Sequence, residues 1–146
     1  MATPQAEIKD AVARVVTSLH RAVFQASNGR LFNRVAGMPV LLLETTGRRS
    51  GKTRSTMLTC PLREDDRLVL VASYGGDPRH PSWFLNLEAH PQVAVVMDGT
   101  RRPMTARIAT GEERARLWPE VTRRYRGYAQ YQRWTDREIP LVILEP

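Results

Sequence analysis

MPVLLLETTGRRSGKTRSTMLTCPLREDDRLVLVAS, residues 38–73, holds three apolar runs parted by two polar turns. Residues 38–44 read as a short strand, and residues 45–54, with Gly47 and Gly51 inside them, as a polar turn. Residues 55–62 read as a second strand, 63–66 as a turn, and 67–73 as a strongly apolar third strand. Turns this short leave no room for the crossovers that parallel strands need, so the stretch is predicted to be an antiparallel meander.

Upstream, residues 4–26 carry Ile8, Val12, Val15, Leu19 and Val23 at spacings of three and four, which predicts an amphipathic helix ending at Asn28-Gly29. Downstream, residues 74–81 form a Gly- and Pro-rich loop, and 82–90 a short helix behind Pro81. Asp98-Gly99 marks a hairpin between strands at 93–97 and 102–108. Thr110 followed by Glu113 reads as a capping box opening a helix that runs to about Tyr125, and 139–144 as a closing strand. The fold class is mainly β (α+β): about six antiparallel strands, flanked by helices, in a closed or half-closed barrel. One domain is expected over 1–146, with the N-terminal helix in 1–28 and the barrel in 38–146.

The chain has 146 residues, 42% hydrophobic and 25% charged, which is ordinary for a globular domain and excludes global disorder. Cys60 is the sole cysteine, so no internal disulfide forms, and His20, His80 and His90 show no metal-ligand spacing. Cys60 reads as a small apolar residue on a strand. Glu7, Lys9, Asp10 and Arg14 break any apolar run at the N-terminus, and no segment is long enough to span a bilayer, so a cytoplasmic protein is expected. Net charge is +7, and of 22 basic residues only Lys9 and Lys52 are lysines. Arginine forks suit phosphate and carboxylate, which points to an anionic partner: nucleic acid, a membrane surface, or a phosphorylated small molecule.

Three stretches are candidates for chemistry. Arg48, Arg49, Lys52 and Arg54 crowd into the first turn beside Ser50 and Gly51, an arrangement suited to phosphate, although such a turn is more often a solvated hairpin tip. The loop from Ser73 through Trp83 offers a wall for a flat ring, although on pattern alone a tryptophan such as Trp83 is more often a core anchor. Tyr125, Tyr128 and Tyr131 recur every three residues and can line a pocket or simply pack. No nucleophile is legible, so chemistry would come from a bound cofactor.

Taken together, PVLLLETTGRRSGKTR, LVLVASYGGDPRHPSWFLNLEAHPQV, ERARLWPEVTRRY and YQRWTDREIPLVILEP are similar to the deazaflavin-dependent nitroreductase family of actinobacteria. The resemblance covers nearly everything from Gly37 to Pro146. It implies a split β-barrel and, as cofactor, coenzyme F-420, a deazaflavin with a phosphodiester and an oligoglutamate tail. By the same resemblance Arg48, Arg49, Ser50, Gly51, Lys52 and Arg54 hold the anionic part. Ser55, Thr56, Met57, Leu58, Val71, Ala72, Ser73, Tyr74, Ser82, Trp83, Phe84 and Asn86 line the cofactor groove. Tyr128 closes over the ring, and Tyr125, Tyr128 and Tyr131 face the acceptor. Tyr74 stands where the family's best-known member has a lysine.

The function implied is hydride transfer from reduced F-420 to a small organic acceptor: a quinone, a nitroaromatic or an activated enone. Ser73 or Tyr128 would polarise the acceptor's oxygen. Two other readings stand beside this one: the same barrel loaded with flavin mononucleotide (FMN), and a basic nucleic-acid module drawing on Arg114, Arg116, Arg123 and Arg124. The N-terminal helix is expected to dock on the barrel or to touch an anionic membrane.

Overall fold

A computed structural model describes residues 34–35 and 37–146; the expected N-terminal helix lies outside them. The strands are β1 (Arg34–Val35), β2 (Met38–Thr46), β3 (Thr53–Thr59), β4 (Leu62–Glu64), β5 (Arg67–Val71), β6 (Gln92–Met97), β7 (Thr100–Ile108) and β8 (Leu141–Glu145). A 3-10 turn spans Tyr74–Gly76, and the helices are α1 (Ser82–Ala89), α2 (Gly111–Arg124) and α3 (Gly127–Arg133).

Every pairing is antiparallel, and β2 pairs with both β3 and β6. From β3 the order runs β3, β2, β6, β7, β8, β5, β4. The two ends of this series, β3 and β4, are consecutive in the chain and separated only by Cys60-Pro61. A sheet whose edges are two residues apart has to curl until they nearly meet, and the result is the expected split barrel. The strand count is higher than six for two reasons. The short β1 adds one, and residues 55–62 break into β3 and β4 because Pro61 has no N–H to continue a ladder. The meander also divides there: β2 and β3 pair, but β4 and β5 join the opposite edge, next to β8.

The pattern VLLL at 40–43 follows from burial on both faces of β2. Leu41 and Leu43 enter the barrel interior with Leu68, Leu70, Val95 and Leu144, and Trp83, Phe84 and Leu87 of α1 join that core. Val40 and Leu42 pack with Val96 on the other side. A further cluster joins Val69, Val71, Leu141 and Ile143 to Leu117 and Val121 of α2 and Tyr128 of α3. Asp98 and Gly99 take φ of 52° and 80°, the left-handed pair that a two-residue hairpin requires.

Thr110 precedes α2 as expected, but its side chain makes no capping bond. Glu113 is instead gripped by Arg107, at 2.5 and 3.0 Å, while the same guanidinium reaches Glu145 at 3.0 Å. A forked charge-assisted pair outcompetes a single bond back to the helix start. Through Arg107, β7 is fastened to α2 and β8. Cys60 is buried at the corner rather than on a strand; its thiol donates to Leu62 O at 3.3 Å, and burial pushes its pKa up to about 11.

Two outcomes follow. Leu43→Ala should cost about 2–5 kcal/mol in urea denaturation, the range for deleting a fully buried leucine side chain. Glu113 is held below the ordinary carboxylate range chiefly by its bond from Arg107, so its contribution is present above that range and lost as pH falls through the lowered value. Arg107→Met should therefore lower stability by roughly 1 kcal/mol or less at neutral pH, the pair being partly exposed, and flatten the acid limb.

Candidate functional site

An open cleft of about 1120 Å³ lies between β3 and the end of β5, bounded by the 47–50 turn, the 73–75 segment, the start of α1 and Tyr128. β3 pairs only with β2 and β4 only with β5, so the space follows from how the barrel closes. A volume on this scale exceeds what a drug-sized ligand fills.

At one end stand Arg48, Arg49 and Arg54 with Ser50 and Ser55. The turn that carries them is tight. Gly47 donates to Lys52 O at 2.8 Å, and a Cβ added at Gly47 would meet Ser50 Oγ at 2.7 Å. Asn86, almost fully buried on α1, orients Arg48: its Oδ1 accepts from Arg48 N at 3.1 Å and Arg48 Nη1 at 2.9 Å, and its Nδ2 donates to Thr45 Oγ1 at 3.3 Å. Thr56, Met57, Leu58, Val71 and the buried Trp83 line the remainder, with Ser82 at the start of α1.

Tyr128 sits at the far side, its hydroxyl 2.9 Å from Thr59 Oγ1. Burial pushes this phenol up to about 12, while the bond with Thr59 pulls the other way. Tyr125 and Tyr131 do not line the cleft; their rings pack around Tyr128, with centroids at 5.0 and 6.4 Å, and their hydroxyls lie 3.4 Å apart. Tyr125 is the C-terminal cap of α2, whereas Tyr128 and Tyr131 lie on α3, which starts at Gly127; a Cβ at Gly127 would meet the Tyr125 ring at 2.5 Å. Ser73, buried, and Tyr74, exposed, form the wall opposite. Tyr74 takes φ 45°, a costly conformation for a residue with a Cβ.

Of the remaining candidates, Gly51 and Lys52 lie on the exposed tip of the turn, away from the cleft, and Ala72 and Phe84 are buried in the barrel core. Gly47, Gly75 and Pro81, inside the turn and the loop already singled out, also line the cleft, as do Thr59 and Leu70, which were not expected. Sequence reasoning also missed Arg137. Its guanidinium donates to Ser73 O at 2.8 Å and Asp77 O at 2.9 Å, and burial draws its pKa below the ordinary arginine value. A single arginine sixty residues from its acceptors leaves no local pattern. Among the described residues no His, Cys, Asp and Glu side chains gather as a metal site, and no helix is long and apolar enough to cross a membrane.

The residue set therefore pairs a cationic, hydroxyl-rich end with a flatter apolar stretch closed by Trp83 and Tyr128. That chemistry fits an elongated ligand with an anionic end and an aromatic end. A family model for F420H(2)-dependent quinone reductases matches residues 16–146. The chain belongs to that family. It is thus an F-420-dependent oxidoreductase, and coenzyme F-420 is its cofactor; FMN finds no support in the family match. Among its relatives, the F420H(2)-dependent quinone reductase Rv1261c of Mycobacterium tuberculosis is 41% identical over 130 residues, covering 86% of this chain and 87% of that one. The solved F420-H2-dependent reductase FDR-A is 44% identical with a TM-score of 0.67, covering 73% of this chain and 94% of its own. A domain-swapped dimer of known structure is 34% identical with a TM-score of 0.67, covering 98% and 100% respectively.

The Tyr128 phenol yields a pH test. Its folded pKa lies above the unfolded value of about 10, so its contribution to stability is complete below that pH and lost as pH rises towards about 12. Tyr128→Phe should cost about 1 kcal/mol at neutral pH through the lost Thr59 bond, and should remove this part of the alkaline decline in urea midpoints.

Proposed function

We propose that this cleft holds coenzyme F-420 and that the chain uses it to reduce a quinone-class acceptor, with nitroaromatics and activated enones as further substrates of the same geometry. The observation that carries the proposal is the division of one cleft into an arginine-lined end and an apolar end. Arg48, Arg49 and Arg54 would hold the phosphodiester and acidic tail, with Ser50 and Ser55 adding hydroxyl donors. Leu58, Val71 and Trp83 would pack against the ring system. When bound, the reduced coenzyme supplies a hydride, two electrons with one proton's mass, to the acceptor.

The chain's own part is orientation, shielding and proton handling. Tyr128, protonated throughout the neutral range, has its hydroxyl beside Thr59 and donates weakly to Met38 Sδ at 3.7 Å, a bond it would exchange for one to an acceptor oxygen. Ser73 has a hydroxyl with no hydrogen-bond partner among the described residues, and it is available to an acceptor oxygen. As charge builds on that oxygen, donors already in place stabilise it without reorganisation. Tyr125 and Tyr131 back the Tyr128 ring and limit its swing.

Fluorescence titration should show F-420 binding tighter than FMN. Alanine at Arg48, Arg49 or Arg54 should weaken F-420 by up to about fivefold per residue, as for exposed ion pairs, with the loss shrinking as salt rises. Purified protein mixed with reduced F-420 and a soluble quinone should oxidise the coenzyme. Preference for FMN, or charge variants that bind F-420 as well as the wild type, would contradict the assignment of the cleft. A second expected outcome concerns Asn86→Ala, which releases Arg48 and Thr45: F-420 affinity should fall although Asn86 carries no charge.

A further inference from the structure

Arg137 lies between α3 and β8, outside the lining of the cleft, yet it holds the cleft wall. Nη2 donates to Ser73 O at 2.8 Å, Nη1 to Ala72 O at 3.2 Å, and Nε to Asp77 O at 2.9 Å. Nη1 also lies 3.3 Å from His80 Nδ1. Among the described residues no carboxylate approaches within ion-pair distance, so the guanidinium is committed to one loop's backbone and to His80. Five fixed donors on a planar fork can restrain several carbonyls at once, which a lysine cannot do.

The loop needs such a restraint. Tyr74, Gly75 and Gly76 take φ of 45°, 61° and 82° in succession, and a non-glycine residue in that region persists only where its surroundings over-determine it. On its other side Gly76 abuts α3, where an added Cβ would lie 3.0 Å from Tyr131 O and 3.2 Å from Trp134. Arg137 is itself anchored on α3. Gln132 Nε2 donates to Arg137 O at 2.7 Å, and Gln132 Oε1 accepts from Ile139 N at 2.8 Å. A continuous path thus runs from α3, which carries Tyr128, through Gln132 and Arg137 to Ser73.

We propose that Arg137 is a positioning residue for the reduction: by clamping the 72–80 loop to the segment anchored on α3, it fixes the placement of Ser73 relative to Tyr128 across the cleft. This rests on the reading of the cleft as the site of hydride transfer. Misplacing a positioning group by about an ångström typically costs a large factor in rate while leaving remote binding contacts in place. The coenzyme's anionic end, held at the arginine turn, should be little affected.

The test compares wild type with Arg137→Ala, using Arg133→Ala, exposed on α3, as control. In the free protein, amide exchange at Gly76 and Asp77, which donate to Ser73 O and Tyr74 O, should quicken at least about tenfold, while Val69 in β5 is unchanged. With F-420, kcat for a soluble quinone should fall at least about tenfold while the coenzyme Kd stays within roughly threefold, and millimolar guanidinium should restore part of the loss. If Arg137→Ala does not fold, Arg137→Lys, which keeps charge and stem, should show the same split. Unchanged exchange, an undiminished kcat, or a rate loss that guanidinium leaves untouched in a folded variant would each overturn the positioning role. A wild type inactive towards every quinone would instead overturn the reading of the cleft, and Arg137's catalytic part with it.

Discussion

Closure of the sheet at Cys60-Pro61 is the constraint on which the site depends. β3 and β4 occupy opposite ends of the strand order but are two residues apart in the chain, so the sheet must wrap around its own core. Pro61 cannot extend a ladder, and the strand that would have run straight through is cut there. The barrel consequently comes close to closing without β3 bonding to β5, and the space beside β3 is the cleft. Burial of the Cys60 thiol, with its pKa pushed up to about 11, keeps the corner chemically inert. In this fold the cleft is the seam of the barrel, and the same two residues that shape the fold leave that seam open.

Around the seam, polar order is supplied by a few long-range side chains. Asn86 joins the arginine turn to α1, and Arg137 joins the opposite wall to α3. Both act on backbone or on other side chains rather than facing the ligand space with a charge of their own. Arg107 does comparable work on the far side of β8, tying α2 to the sheet through Glu113. The chain is rich in arginine, and the structure separates two uses of it. Arg101, Arg107, Arg114 and Arg116 are paired with carboxylates. Arg48, Arg49 and Arg54 line the cleft and form no ion pair with a carboxylate among the described residues. A net charge of +7 therefore says less about partners than where the unpaired part of it lies.

Much of this could be read in the sequence, for physical reasons that differ by element. Asp98-Gly99 identified its hairpin because few residue pairs tolerate two positive φ values. α1 and α2 appeared at nearly their observed bounds, because periodicity and punctuation are local signals. The arginine turn and the Ser73–Trp83 segment stood out by composition, and both border the cleft. What could not be read depends on distance. Pairing of β5 with β8 is set by closure, the competition between Arg107 and the capping box is won by a residue outside the helix, and Arg137 meets its acceptors only once the barrel has formed. The tyrosine repeat was legible as a stripe, but its division into one cleft-lining ring and two supporting rings depends on where α2 stops.

The most direct test of the central claim is a crystal structure of the full chain with coenzyme F-420. The coenzyme should lie in the seam between β3 and β5, its acidic tail against Arg48, Arg49 and Arg54 and its ring between Trp83 and Tyr128. A coenzyme bound elsewhere on the barrel, or one turned so that its tail meets the Ser73 wall, would contradict that claim.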